Sequence, residues 1–176
     1  MEHTILIVGH RTGIGRSIAE LMLNSGHKVL GISREACDYN HENLTSLTFN
    51  IAEIDDSVIP ENLSGFIYCP GTINLKPFRS LKVQDFQNDF EINALGAASA
   101  LQKVERSIKS GKGSVILFST VAVGQGMPFH ASVAMAKGAV EGLGKSLAAE
   151  WAPNVRVNVI APSLTDTPMA SKLLGN

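Results

Sequence analysis

A chain of 176 residues is long enough for one well-packed domain and scarcely for two. With 44% apolar and 18% charged residues, disorder is excluded as the dominant state, and 15 Lys plus Arg against 16 Asp plus Glu excludes the basic excess of a nucleic-acid or anionic-membrane binder. Cys37 and Cys69 stand apart, which excludes a disulfide framework and a cysteine-based zinc site and fits a reducing compartment.

The first residues run straight into Ile5-Leu6-Ile7-Val8, with no basic segment and no cleavage site of small residues. No window approaches the roughly 18 apolar residues of a membrane span, so a cytoplasmic protein is expected. Apolar runs predict strands at 4–8, 28–32, 46–50, 65–69, 114–118 and 155–160, several of them continuous in Val, Ile and Leu as in strands buried on both faces. Between the first two lies a helix over about 13–25, with Ile14, Ile18, Leu21 and Met22 on one face and Gly26 at its C-terminus. Further helices are expected over about 83–108 and 132–150. Their small residues, such as Ala97, Ala100, Gly142 and Gly144, suit close packing on a sheet and equally a subunit interface. The alternation argues for a parallel sheet covered by helices, in one domain over 1–176.

Strand 4–8 passes directly into Gly9-His10-Arg11-Thr12-Gly13-Ile14-Gly15 and then a helix. Glycines there permit positive φ and close backbone approach, while the helix N-terminus directs free N–H groups at a pyrophosphate. The competing reading is a tight turn that needs glycine for steric reasons alone. The placement between a first strand and a first helix favours the dinucleotide cradle.

Four more segments follow in order: Ile92-Asn93-Ala94-Leu95-Gly96, Gly113-Ser114-Val115-Ile116-Leu117-Phe118-Ser119-Thr120, Ala136-Lys137-Gly138-Ala139-Val140, and Val155 to Pro162 followed by Thr167-Pro168-Met169. With the G-x-x-x-G-x-G spacing, they resemble the short-chain dehydrogenase/reductase family over nearly the whole chain, and are similar to its 3-oxoacyl-ACP-reductase-like members. The resemblance implies an α/β fold with a Rossmann-type doubly wound parallel sheet in three layers, α/β/α. Six strands are predicted, with the family's seventh strand and substrate lid absent, because members commonly run to about 250 residues. It also implies a homodimer or homotetramer through the 83–108 and 132–150 helices, a small-molecule substrate, and hydride transfer to or from a carbonyl, alcohol or enoyl carbon.

On the cofactor side, the resemblance assigns binding roles to Gly9, Arg11, Thr12, Gly13, Ile14 and Gly15, and to Asn50 and Ile51 beside the adenine. It does the same for Gly71, Lys137, Pro162 and Thr167 around the nicotinamide ribose and carboxamide. Ser33 stands where NAD-dependent members carry an acid, and Arg34 follows it. A hydroxyl and a guanidinium suit a phosphomonoester, so NADP(H) is favoured over NAD(H), unless both arginines are simply solvated.

On the catalytic side, the resemblance makes Lys137 the lysine, Asn93 the water-holding asparagine and Thr120 the substitute for the serine, with Ser119 adjacent. The tyrosine position, four before Lys137, is Val133, which has no proton to give. His130, seven before Lys137, is a candidate donor because an imidazole is a competent acid near neutrality. It also fits an ordinary loop or helix-start residue. The alternative is a weak or inactive NADP(H)-binding protein acting as a regulatory or structural subunit. Tyr68-Cys69-Pro70-Gly71 and Pro162-Ser163 depart from the family pattern as well.

Overall fold

The computed structural model describes residues 3–50 and 53–171. Strand β1 (Thr4–Val8) explains the layering, because its side chains alternate between two apolar clusters. Ile5 and Ile7 belong with Ala19 and Leu23 of helix α1 (Gly13–Asn24). Leu6 and Val8 belong with Ala97, Leu101 and Val104 of α3 (Gly96–Ser110) and with Val140 of α5 (Ala131–Trp151). Both faces of the strand are thus covered, which is why its sequence is a continuous apolar run. Leu6, Ile7, Phe66 and Leu117 have no exposed surface, and burial of each such side chain is worth about 1.5–3 kcal/mol.

Among the described residues the sheet has six strands, β1, β2 (Lys28–Ser33), β3 (Leu44–Thr48), β4 (Gly65–Tyr68), β5 (Ser114–Phe118) and β6 (Arg156–Ile160), in the order β3-β2-β1-β4-β5-β6. Every pairing is parallel, and Val8 pairs with Ile32 on one side and Tyr68 on the other. The order reverses between β1 and β4, so a crevice opens beyond their C-terminal ends. With helices on both faces, this is the expected Rossmann-type three-layer α/β/α architecture.

Several boundaries differ from the sequence-based expectation by a residue or two, β2 running on to Ser33, β3 starting at Leu44 and β4 ending at Tyr68. Strand β3 ends at Thr48 rather than Asn50 because Thr48 pairs with Ser33, the last residue of β2. Strand β6 starts at Arg156, opposite Ser114, since the N–H of Val155 is donated to Trp151 in the preceding turn. The helix expected over 83–108 is continuous to Ser110 but turns π-helical in its middle: α2 (Val83–Phe90), a π-helical segment (Glu91–Leu95) and α3. Tyr68 meets the helix at that segment. Its phenol donates to the Ile92 carbonyl at 2.8 Å, and a Cβ at Gly96 would lie 2.3 Å from the phenol oxygen. A short helix α4 (Val121–Gln125) follows β5.

Candidate functional site

A cleft of about 710 Å³ opens at the reversal point, lined by the glycine-rich turn, the ends of β2 and β4, the π segment and Thr167 to Met169. Gly9 (φ +82°) and Gly13 (φ +56°) take backbone conformations that side chains disfavour. Gly15 is required by proximity: a Cβ there would sit 2.1 Å from the Gly9 carbonyl oxygen. Thr12, the N-cap of α1, makes no side-chain capping bond, and the first turn holds no acidic residue. The helix therefore presents uncompensated N–H groups and the positive end of its dipole to the cleft. Thr167 folds over this turn, its methyl 3.3 Å from where a Gly13 Cβ would stand. These features fit a bound pyrophosphate.

At the outer end, the Arg11 guanidinium is ion-paired with Glu35, and the Ser33 hydroxyl donates to the Glu35 carbonyl at 2.7 Å. Ser33 is therefore occupied by its own turn. Arg34 is exposed and lines the cleft, as does Asn50, whereas Ile51 lies outside the described residues.

At the inner end the cleft stops at Gly71, and behind it stand Asn93 and Lys137. A Cβ at Gly71 would lie 3.2 Å from Asn93 Oδ1 and 3.4 Å from Lys137 Nζ, so both polar atoms face one point. Asn93 is buried in the π segment and donates from Nδ2 to Thr72 Oγ1 (2.8 Å) and the Asp89 carbonyl (2.7 Å). With both donors used, only Oδ1 is left, and it has no protein partner. Thr72 in turn donates to the buried Asp89 carboxylate at 2.7 Å. Lys137 Nζ donates to the Phe118 carbonyl at 2.8 Å. Burial lowers its pKa to about 8, against a smaller opposing influence from Cys69. Burial also pushes the Cys69 thiol up to about 12, so it stays neutral.

The remaining candidates make other contacts. Among the described residues, neither Thr120 nor His130 is hydrogen-bonded to Asn93 or Lys137. Thr120 is the N-cap of α4 and accepts the Ala122 N–H at 3.3 Å, while Ser119 donates to Glu141 at 2.7 Å. His130 is the non-helical N-cap of α5 rather than a member of its face, and its Nδ1 is 2.7 Å from the Pro128 carbonyl. Since a carbonyl only accepts, Nδ1 carries the proton, and the neutral ring has none on Nε2. Val133 is buried, 6% exposed. Pro162 does not line the cleft; its carbonyl accepts the Val121 N–H. Glu35, Thr72 and Asp89 escaped the sequence reading. An acid two residues beyond Ser33, and Asp89 one helical turn before Asn93, were the signals available.

Among the described residues no helix is long and apolar enough to cross a membrane, and no three His, Cys, Asp or Glu side chains are grouped to hold a metal ion.

A glycine-rich turn at the reversal point of a parallel sheet defines a Rossmann-type α/β protein. The family model described as "Enoyl-(Acyl carrier protein) reductase" matches residues 37–176. The chain is 25% identical over 175 residues to the bifunctional ribulose 5-phosphate reductase/CDP-ribitol pyrophosphorylase of Haemophilus influenzae, covering 99% of this chain and 36% of that protein. It is 27% identical over 196 aligned positions to the 2,5-dichloro-2,5-cyclohexadiene-1,4-diol dehydrogenase of Sphingobium indicum, covering 98% of this chain and 76% of that enzyme. A solved short chain dehydrogenase/reductase family protein superposes with a TM-score of 0.89 at 26% identity, covering 99% of this chain and 79% of the other. The chain belongs to the short-chain dehydrogenase/reductase family, a family of oxidoreductases.

Proposed function

We propose that this chain is an NADP(H)-dependent short-chain oxidoreductase acting on a carbonyl, alcohol or enoyl small molecule through an altered proton relay. The observation that carries the reading is the uncapped, glycine-lined cleft ending at the Gly71, Asn93 and Lys137 cluster. When bound, the nicotinamide dinucleotide supplies or accepts the hydride. The N–H groups of residues 12–15 hold its pyrophosphate. Arg11 and Arg34 would meet the 2′-phosphate, and Asn50 the adenine. Lys137 would hold the nicotinamide ribose from behind Gly71, and Thr167, which lines the cleft, would meet the carboxamide. Asn93 Oδ1 accepts a hydrogen bond beside the lysine, and Thr120 orients the substrate oxygen.

The proton is the altered part. A lysine held near 8 exchanges its proton at neutral pH, so Lys137 Nζ is supported as one holder of it. His130 donates from Nε2 only as the imidazolium. Exposed Val83 and Met135 on α2 and α5 support the expected homodimer or homotetramer.

A second reading, a weak or inactive NADP(H)-binding subunit, is favoured by one observation: buried Val133 puts no hydroxyl where the family has its acid. Loss of a general acid costs about 10²–10⁴ in rate. NADPH titration followed by fluorescence, then a reductase screen over ketones, aldehydes and enoyl thioesters, separates the two. Binding with turnover is expected. Binding without turnover leaves the second reading standing, and no binding at millimolar concentration defeats both.

A further inference from the structure

We propose that Glu35 sets the cofactor preference of this chain by competing with the 2′-phosphate for Arg11, an inference that rests on the dinucleotide reading of the cleft. The end of β2 lacks an acid at Ser33, which by itself favours a phosphorylated ribose. The fold returns an acid to the same place from two residues further on. Arg11 leaves the glycine-rich turn, Glu35 leaves the turn after β2, and their side chains pair across the cleft that both line. The Ser33 hydroxyl, bonded to the Glu35 carbonyl at 2.7 Å, fastens that turn and is itself spent.

Charge balance points the same way. Among the described residues, the charged side chains lining the cleft are Arg11, Arg34, Glu35 and Glu91, two of each sign, so they bring no net positive charge to a cleft that receives phosphates. The Glu35 side chain is 71% exposed and that of Arg11 37%, so the carboxylate is the partner that water readily takes back. A dinucleotide with a free 2′-hydroxyl leaves the pair closed and offers the carboxylate a hydrogen-bond donor. One with a 2′-phosphate must displace the carboxylate and then tolerate its charge nearby. The chain therefore accepts both cofactors, with the preference for NADPH compressed by one screened charge contact, about tenfold.

The test is Glu35→Gln, which keeps size and hydrogen bonding but removes the charge. NADPH and NADH dissociation constants are measured by fluorescence titration, with 2′,5′-ADP and 5′-ADP as competitors and circular dichroism to confirm folding. NADPH and 2′,5′-ADP are expected to bind about tenfold tighter to Glu35→Gln, and NADH and 5′-ADP to change less than twofold. In an Arg11→Gln background the gain should largely vanish. An unchanged NADPH to NADH ratio, or equal shifts for both, overturns the role of Glu35 while leaving the dinucleotide site intact. If neither dinucleotide binds the wild-type chain or the variant, the dinucleotide reading falls and this inference with it.

Discussion

Lys137 shows how far burial alone can move a functional group. Its Nζ keeps a hydrogen bond to the Phe118 carbonyl, and loss of solvent, outweighing the opposing influence of Cys69, lowers the pKa to about 8 from an ordinary 10.5. A titration of the lysine Cε and Nζ signals by NMR should show one residue changing near pH 8, and Lys137→Arg should remove it; a Lys137 midpoint near 10 would contradict the burial argument. A folded pKa below the unfolded one means this residue's contribution is full above about 10.5 and is lost as pH falls through about 8. Lys137 was legible in the sequence because Ala136-Lys137-Gly138 is a local pattern. The aim of Asn93 was not, since it depends on Thr72, 21 residues away, and on which of its atoms the backbone of Asp89 has already engaged.

The helix that carries Asn93 turns π-helical at a contact that no helical periodicity encodes. Tyr68, at the end of β4, reaches the Ile92 carbonyl inside the π segment, and Gly96 leaves room for its ring. Tyr68→Phe should cost about 1 kcal/mol through the lost hydrogen bond. Gly96→Ala should cost about 1–3 kcal/mol through overpacking. The two should be strongly non-additive, because removing the phenol oxygen removes the atom that a new Cβ would strike. Denaturant midpoints of the two variants and their double mutant read this directly, and simple additivity would count against the phenol as what Gly96 accommodates. The small residues of 83–108 were visible in the sequence as a packing surface. That Gly96 serves a tyrosine required knowing that β4 ends beneath it.

The glycine-rich turn is tied to the far edge of the sheet through His10. The ring has no exposed surface and lies 2.9 Å from Ser46 Oγ of β3, while the His10 carbonyl accepts the Tyr39 phenol at 3.1 Å. Tyr39 in turn lies beneath the Arg16 guanidinium, 4.8 Å from its ring centroid. Burial lowers the His10 pKa below its ordinary 6.5. Its contribution to stability is therefore complete above about pH 6.5 and is lost as pH falls from there through the lowered folded value. Denaturation midpoints should drop between pH 7 and pH 5, and His10→Gln should flatten that slope. An equally steep slope in the variant would show that other groups set the acid limit.

Alternating apolar runs, glycine spacing and the ordered family segments made the layers, the sheet and the glycine-rich turn legible from the amino acids alone. Those features are local, since strand burial, positive φ and helix termini are properties of a few consecutive residues. Folding decided the partners: Arg11 with Glu35, Tyr68 with Ile92, Asn93 with Thr72, His10 with Ser46. Each pair is separated by 21 to 36 residues. A hydrogen bond or ion pair forms where the sheet and its crossovers bring donor and acceptor within about 3 Å, and sequence distance carries no record of that.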